Sequence, residues 1–295
     1  MNTKTSLSRP ASIWLSLFIY LLAILSAILV ARIFSNYHPL IMIGAADFAA
    51  TLLVFLFSVA LNNSSAYDPY WSVKPFVIAL AYVFIFDLES LNPRQWLVIS
   101  GILLYALRLT TNFYRDWPGF SHEDWRYVNF RKTTGKAYWL VSFLAIHLFP
   151  TIMVFLGCMA MLPVFEGSGR PLNAWDVFAA IVLFGSVLYA FIADEQLRKF
   201  RAKPANKGKI ITTGLWHYSR HPNYFGEIST WWGLAIFAIA AGCEFWWTLS
   251  GPVAITIMFL FASIPMIEKR HLEKRAGYRD YISSTPMLLP FKFWK

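Results

Sequence analysis

The chain has 295 residues, 57% hydrophobic and 14% charged, with 26 Phe, 13 Trp and 14 Tyr and a mean hydropathy of +0.49. An ordinary globular domain carries about 25% charged residues, so this is not a soluble composition, and disorder, collagen-like repeats, a disulfide scaffold and a nucleic-acid-binding domain are excluded. The net charge of +10 is concentrated, with 14 of the 26 Lys and Arg in 196–222 and 268–295, a clustering that reads as membrane topology.

A bilayer core of about 30 Å takes roughly 20 apolar residues per helix. Apolar runs lie at 12–33, 40–61, 74–87, 94–111, 138–162, 174–195, 226–243 and 246–267, predicting an all-α polytopic transmembrane bundle of about eight spans. The first follows Lys4 and Arg9 as a signal peptide would, but its run exceeds the roughly 7–15 apolar residues of such a segment, so it is expected to remain as a helix. Asp47, inside the second run, is expected to face a partner helix or water. The third run is short and punctuated by Pro75. The 112–137 loop carries Arg115, Arg126, Arg131, Lys132 and Lys136, and the 196–222 loop carries seven basic residues. The positive-inside rule places these loops, the tail and both termini in the cytoplasm. The opposite side receives only sparse loops, and Cys158 and Cys243 in apolar runs imply neither a metal site nor a staple.

Ionisable residues near membrane helices mark sites by default, and four clusters qualify. Asp194, Arg198 and Arg201 at i, i+4 and i+7 present a carboxylate for hydroxyls or an amide and guanidinium forks for phosphate. In the run from Gly214 to Glu227, Pro222 fits a first helical turn. That sets Arg220 and His221 at the helix N-terminus, where anions are favoured, and Asn223 and Glu227 on one inward face. Glu268, His271 and Arg275 form a polar edge running into the tail. Tyr105 and Arg108, one turn apart, join Asn112, Tyr114 and Arg115, with Tyr67-Asp68-Pro69 in a loop on the same side.

These residues resemble the steroid 5-alpha-reductase family of integral-membrane enzymes, most closely its bacterial branch, over about residues 60–295. The motifs that carry the resemblance are Asp194 with Arg201, the Gly214 to Glu227 block and the closing Tyr278 to Phe291 segment. The resemblance implies a family core of seven helices over 40–295, preceded by an extra helix in 1–39. It implies NADPH-dependent reduction of a carbon-carbon double bond conjugated to a ketone in a steroid-like or other lipid, in a bacterial inner membrane, with no obligate protein partner and no metal. Cofactor-binding positions would be Asp194, Arg198, Arg201, Lys209, Arg220, His221, Asn223, Tyr224, Glu227, His271 and Arg275. Asp68 and Tyr105 would hold the substrate carbonyl as the catalytic pair. Alanine at Asn223 or Glu227 is expected to weaken cofactor binding and leave the fold intact. Three positions depart from the pattern: Tyr67-Asp68 stands for a Gln-Glu pair, Ala190 for an asparagine, and Lys274 for a tyrosine.

The Arg-His-Pro-Asn-Tyr block also resembles membrane methyltransferases that use S-adenosylmethionine, which do not need the Asp194 to Arg201 face. A transporter would place ionisable residues deep in several spans, whereas here they gather at one mouth.

Overall fold

A computed structural model describes residues 7–289 except 168, 169, 243 and 245; Cys243 and the Pro290-Phe291 end of the tail motif lie outside the described residues. The chain forms a helical bundle, with no strand among the described residues. The principal helices are α1 (Arg9–Ile33), α2 (Pro39–Ala60), α3 (Tyr70–Ile85), α4 (Pro93–Asp116), α5 (Trp125–Glu166), α6 (Ala174–Arg201), α7 (Pro222–Ala241), α8 (Trp246–Lys274) and α9 (Tyr278–Ser284). Six of them, α1, α2, α4, α5, α6 and α8, are long and apolar enough to cross a membrane, which makes the chain an integral membrane protein. The other two expected spans, 74–87 and 226–243, correspond to α3 and α7, which end at Ile85 and Ala241 and are outside that six. Helix α3 has only 16 residues, and α7 carries Asn223 and Glu227 and is mostly buried by its neighbours.

The helix starts follow local chemistry. Asn92 with Gln95, and Asn173 with Asp176, form reciprocal capping boxes at α4 and α6, each satisfying orphan amides of a first turn. Asp176 also receives Arg94 through two bonds of 2.6 and 2.7 Å, a bidentate geometry that ties α4 to α6 at the end away from the basic loops. The expected 112–137 loop is shorter than its sequence suggests. Helix α4 runs on to Asp116, and Asp124 caps α5 by accepting from the Arg126 amide at 2.9 Å. Helix α5 then continues for 42 residues through a widened π-helical turn at Ser142–Leu148. There His147 bonds Ser58 at 3.0 Å.

The N-terminal helix α1 packs along α2. Its Arg9 donates to the carbonyls of Tyr114, Arg115 and Trp117 at 2.7, 3.1 and 3.0 Å, so a cation closes the C-terminal end of α4, where carbonyls are unpaired and the helix dipole is negative.

Helices α6 and α7 form the tightest pair. A Cβ at Gly226 would stand 2.7 Å from both the Ser186 carbonyl oxygen and the Ala190 Cβ, and one at Gly233 would stand 3.0 Å from the Leu183 backbone. Small residues allow such approach between membrane helices, and the hydroxyls of Ser186 and Thr230 meet across it at 2.9 Å. Ala190, the departure from the family's asparagine, is fully buried in this contact and so packs rather than binds. Gly226→Ala is therefore expected to cost about 1–3 kcal/mol, the range of overpacked cores, and to displace Asn223 and Glu227 on either side of it. Thermal unfolding in detergent checks this, and an unchanged midpoint would contradict it.

Candidate functional site

At the end of the bundle that carries the basic loops, α4, α6, α7, α8 and the tail enclose a cavity of about 840 Å³. Its floor is acidic and amidic. Asp194 accepts from Asn112 at 2.8 Å, Asn223 at 3.2 Å and Arg108 at 3.1 Å, joining three helices at one carboxylate. Arg108 also donates to Glu227 at 2.5 Å, and Tyr105 donates to the other oxygen of Glu227 at 2.5 Å. A line of charge therefore runs from Asp194 through Arg108 to Glu227 and ends on the Tyr105 hydroxyl, whose ring lies edge-on to Trp231. Glu227 and Arg108 are 6% and 4% exposed, so each offsets the other's burial.

The walls are basic. Arg198 is drawn to Glu195 at 2.6 Å, as is Arg115 at 2.7 Å. Arg201 and Arg275 also line the cavity, and neither forms an ion pair among the described residues. Arg275 donates to the Lys209 carbonyl at 3.2 Å. Burial lowers the pKa of the Arg275 guanidinium and pushes the neighbouring Tyr278 hydroxyl up to about 12, so Tyr278 is a hydrogen-bond donor at neutral pH.

The tail folds back to form one side. Arg220 donates to Glu268 at 2.7 Å and to the carbonyls of Ile282 and Thr285 at 3.0 and 2.5 Å. His221 meets Glu268 at 2.9 Å and stacks on Tyr224, with ring planes 10° apart. The Tyr281 hydroxyl donates to the Trp216 carbonyl. Arg220 thus holds the tail in place as well as facing the cavity.

Of the positions expected to bind a cofactor, Asp194, Arg198, Arg201, Arg220, His221, Asn223, Tyr224, His271 and Arg275 line this cavity. Lys209 is not among its lining residues, and Glu227 lies beneath it. The expected catalytic residues are not brought together. Tyr105 is fully buried on Glu227, whereas Asp68 accepts from Tyr127 and lies 3.6 Å from Arg126, at the start of α5. Arg108 is the central residue that sequence reasoning left without a role. Its signal was its spacing from Tyr105 and Asn112, which sets all three on one face of α4.

Burial pushes the Asp68 carboxyl up to about 6, against the opposing pull of Arg126 and Tyr127. The ordinary value is about 3.9, so its folded pKa is raised. Its contribution to stability is complete below the ordinary value and is lost as pH rises through about 6. Wild type should therefore lose thermal stability across that window relative to Asp68→Asn, and parallel melting profiles for the two would contradict it.

A model of the family described as "Protein of unknown function (DUF1295)" matches residues 54–285. An uncharacterised protein of Schizosaccharomyces pombe is 25% identical over 284 residues, covering 88% of this chain and 82% of that protein. The 3-oxo-5-alpha-steroid 4-dehydrogenase 1 of Mus musculus is 36% identical over 115 residues, and that of Rattus norvegicus 34% over 113. These stretches cover 38% of this chain, and 40% and 39% of the two reductases. The resemblance to a steroid 5-alpha-reductase-like family is thereby borne out. No solved structure matches.

Proposed function

We propose that this chain, which belongs to the family described as "Protein of unknown function (DUF1295)", is a membrane reductase that binds NADPH in the basic cavity and reduces a carbon-carbon double bond conjugated to a ketone in a lipid. The observation that carries the reading is the pair Arg201 and Arg275, both lining the cavity and neither in an ion pair among the described residues. Unpaired guanidinium forks suit phosphate oxygens, and the Asp194, Asn112 and Asn223 floor suits hydroxyl and amide groups. The same cluster of cations would repel the sulfonium of S-adenosylmethionine. The 840 Å³ volume falls within the about 300–1,000 Å³ of small-molecule sites. The clustering of Lys and Arg supports a cytoplasmic mouth.

NADPH bound there supplies a hydride. Tyr278 and His221 line the wall that the tail forms, and the bonds from Arg220 to the Ile282 and Thr285 carbonyls hold the tail there. As charge develops on the substrate carbonyl oxygen, a positioned donor stabilises it, and Tyr105 is the proposed donor. It would exchange Glu227 for the substrate oxygen, while Arg108 keeps Glu227 and Asp194 in register. Asp68 is proposed to position the substrate from the loop before α3, where it meets Tyr127 and Arg126 at the start of α5.

The test is NADPH consumption by the detergent-purified protein over a panel of enone lipids. Tyr105→Phe is expected to lower turnover roughly 10- to 100-fold, the worth of one hydrogen bond to a charged group, with NADPH affinity unchanged. Equal turnover in the variant would remove Tyr105 from the chemistry, and no consumption with any enone would overturn the substrate class.

A further inference from the structure

We propose that Glu195 is an internal competitor for a phosphate monoester. Its carboxylate holds Arg115 and Arg198 at the mouth of the basic cavity, and the phosphate that displaces it takes both guanidiniums. This competition rests on the proposed dinucleotide reading of the cavity and identifies which phosphate of the ligand a second pair of cations there would receive.

The arginines that line the cavity are Arg115, Arg198, Arg201, Arg220 and Arg275. Arg220 is committed to Glu268 and to two tail carbonyls, and its side chain is only 9% exposed. Arg201 and Arg275 form no ion pair among the described residues. Arg115 and Arg198 stand between these cases. Arg115 Nη1 donates to Glu195 Oε1 at 2.7 Å. Arg198 donates through Nε and Nη2 to both oxygens of the same carboxylate, the Nη2 bond being 2.6 Å. One carboxylate thus gathers guanidiniums from two helices, α4 and α6. Guanidiniums converging on one oxyanion are also the arrangement that binds phosphate, and here the protein supplies the oxyanion itself.

The clasp is built to open. Both guanidiniums are 45% exposed and Glu195 is 18% exposed, and ion pairs at such exposure are weak and screened by salt. The buried pair of Arg108 and Glu227 below has no such freedom. Arg115 and Arg198 each lie in the last turn of their helix, so each side chain can turn without shifting a packed element. Both guanidiniums line the cavity and Glu195 does not, so an anion inside the cavity meets the cations first.

The displacing group must exceed a carboxylate in charge and in acceptors. A phosphate monoester does so, with about 1.5–2 negative charges at pH 7 and three acceptor oxygens. A carboxylate on the ligand would only equal Glu195. The diphosphate bridge of a dinucleotide suits the open pair Arg201 and Arg275, and the monoester that NADPH carries and NADH lacks suits the clasped pair. Arg198→Ala alone changes affinity little on this scheme, because the cation is lost to Glu195 and to the ligand alike. Glu195 therefore sets the margin between a ligand with the monoester and one without it.

The experiment is isothermal titration of the full chain in nanodiscs with adenosine 2′,5′-bisphosphate, which carries the monoester without the nicotinamide, and with NADH. Glu195→Gln is expected to raise bisphosphate affinity roughly three- to tenfold, the release of two exposed ion pairs, and NADH affinity by less than about twofold. Asp116→Asn is the control for bare charge. Asp116 lines the same cavity and attracts Arg198 and Arg201 but forms no ion pair among the described residues, so its removal should raise bisphosphate affinity by less than about twofold. Adding Arg115→Ala and Arg198→Ala to Glu195→Gln should erase the gain. Unchanged or lowered bisphosphate affinity in Glu195→Gln, an equal gain in Asp116→Asn, or a gain that survives the loss of both arginines would overturn the proposal. A gain in Glu195→Gln without reduction of any enone would uphold the clasp and overturn the substrate class. NADPH consumption with bisphosphate affinity blind to Glu195→Gln would do the reverse.

Discussion

Glu227→Ala is expected to destabilise the protein by about 3–5 kcal/mol, the cost of removing one partner from a buried ion pair. The side chain accepts from Tyr105 and Arg108 at 2.5 Å each in a setting closed to solvent. Its loss leaves a buried guanidinium whose remaining carboxylate, Asp194, is shared with Asn112 and Asn223. The alanine also leaves the Tyr105 hydroxyl unpaired inside a core of Trp231 and aliphatic neighbours. This replaces the expectation from sequence that the variant keeps its fold, because Glu227 is a structural junction below the cavity. Glu227→Gln retains an acceptor for one partner and should cost less. Unfolding in detergent, read as a midpoint shift for each variant, checks the order. Equal stability of wild type and Glu227→Ala would contradict the burial argument.

Arg201→Ala is expected to weaken NADPH binding by roughly 10- to 100-fold, since hydrogen bonds to charged groups are worth about 1.5–3 kcal/mol. Asp116 and Asp194 attract this guanidinium, but it forms no ion pair with a carboxylate among the described residues, so its donor fork is available. Arg198, three residues and so just under one turn away along the same helix, provides the control. It already donates to both oxygens of Glu195 at 3.1 Å or less, and Arg198→Ala should lower affinity much less. Raising ionic strength should weaken wild-type binding more than Arg201→Ala binding, because the removed charge is the screened one. Isothermal titration at two salt concentrations measures both effects, and similar losses in the two variants would contradict the assignment.

The bundle was legible in the sequence because apolar length alone signals a membrane helix. The gathering of Asp194, Arg201, Asn223, His271 and Arg275 around one cavity was legible because their helical spacings set them at the same ends of α6, α7 and α8. Periodicity did not reveal which carboxylate would pair with which cation, since pairing is decided between helices. Arg108 and Lys74 were the residues missed for that reason. Lys74 falls in an apolar stretch as an isolated charge, and its partner Asp47 lies 27 positions away on another helix. The start of α5 was misjudged for a different reason. Residues 125–134 are polar, and their helix is fixed by the Asp124 cap rather than by an apolar face.

The most direct test of the central claim is equilibrium binding of NADPH, NADH and S-adenosylmethionine to the detergent-purified protein, with Arg201→Ala as the control. The account predicts NADPH binding that exceeds NADH binding and falls in the variant. Binding of S-adenosylmethionine alone would contradict it and assign the same cavity to methyl transfer.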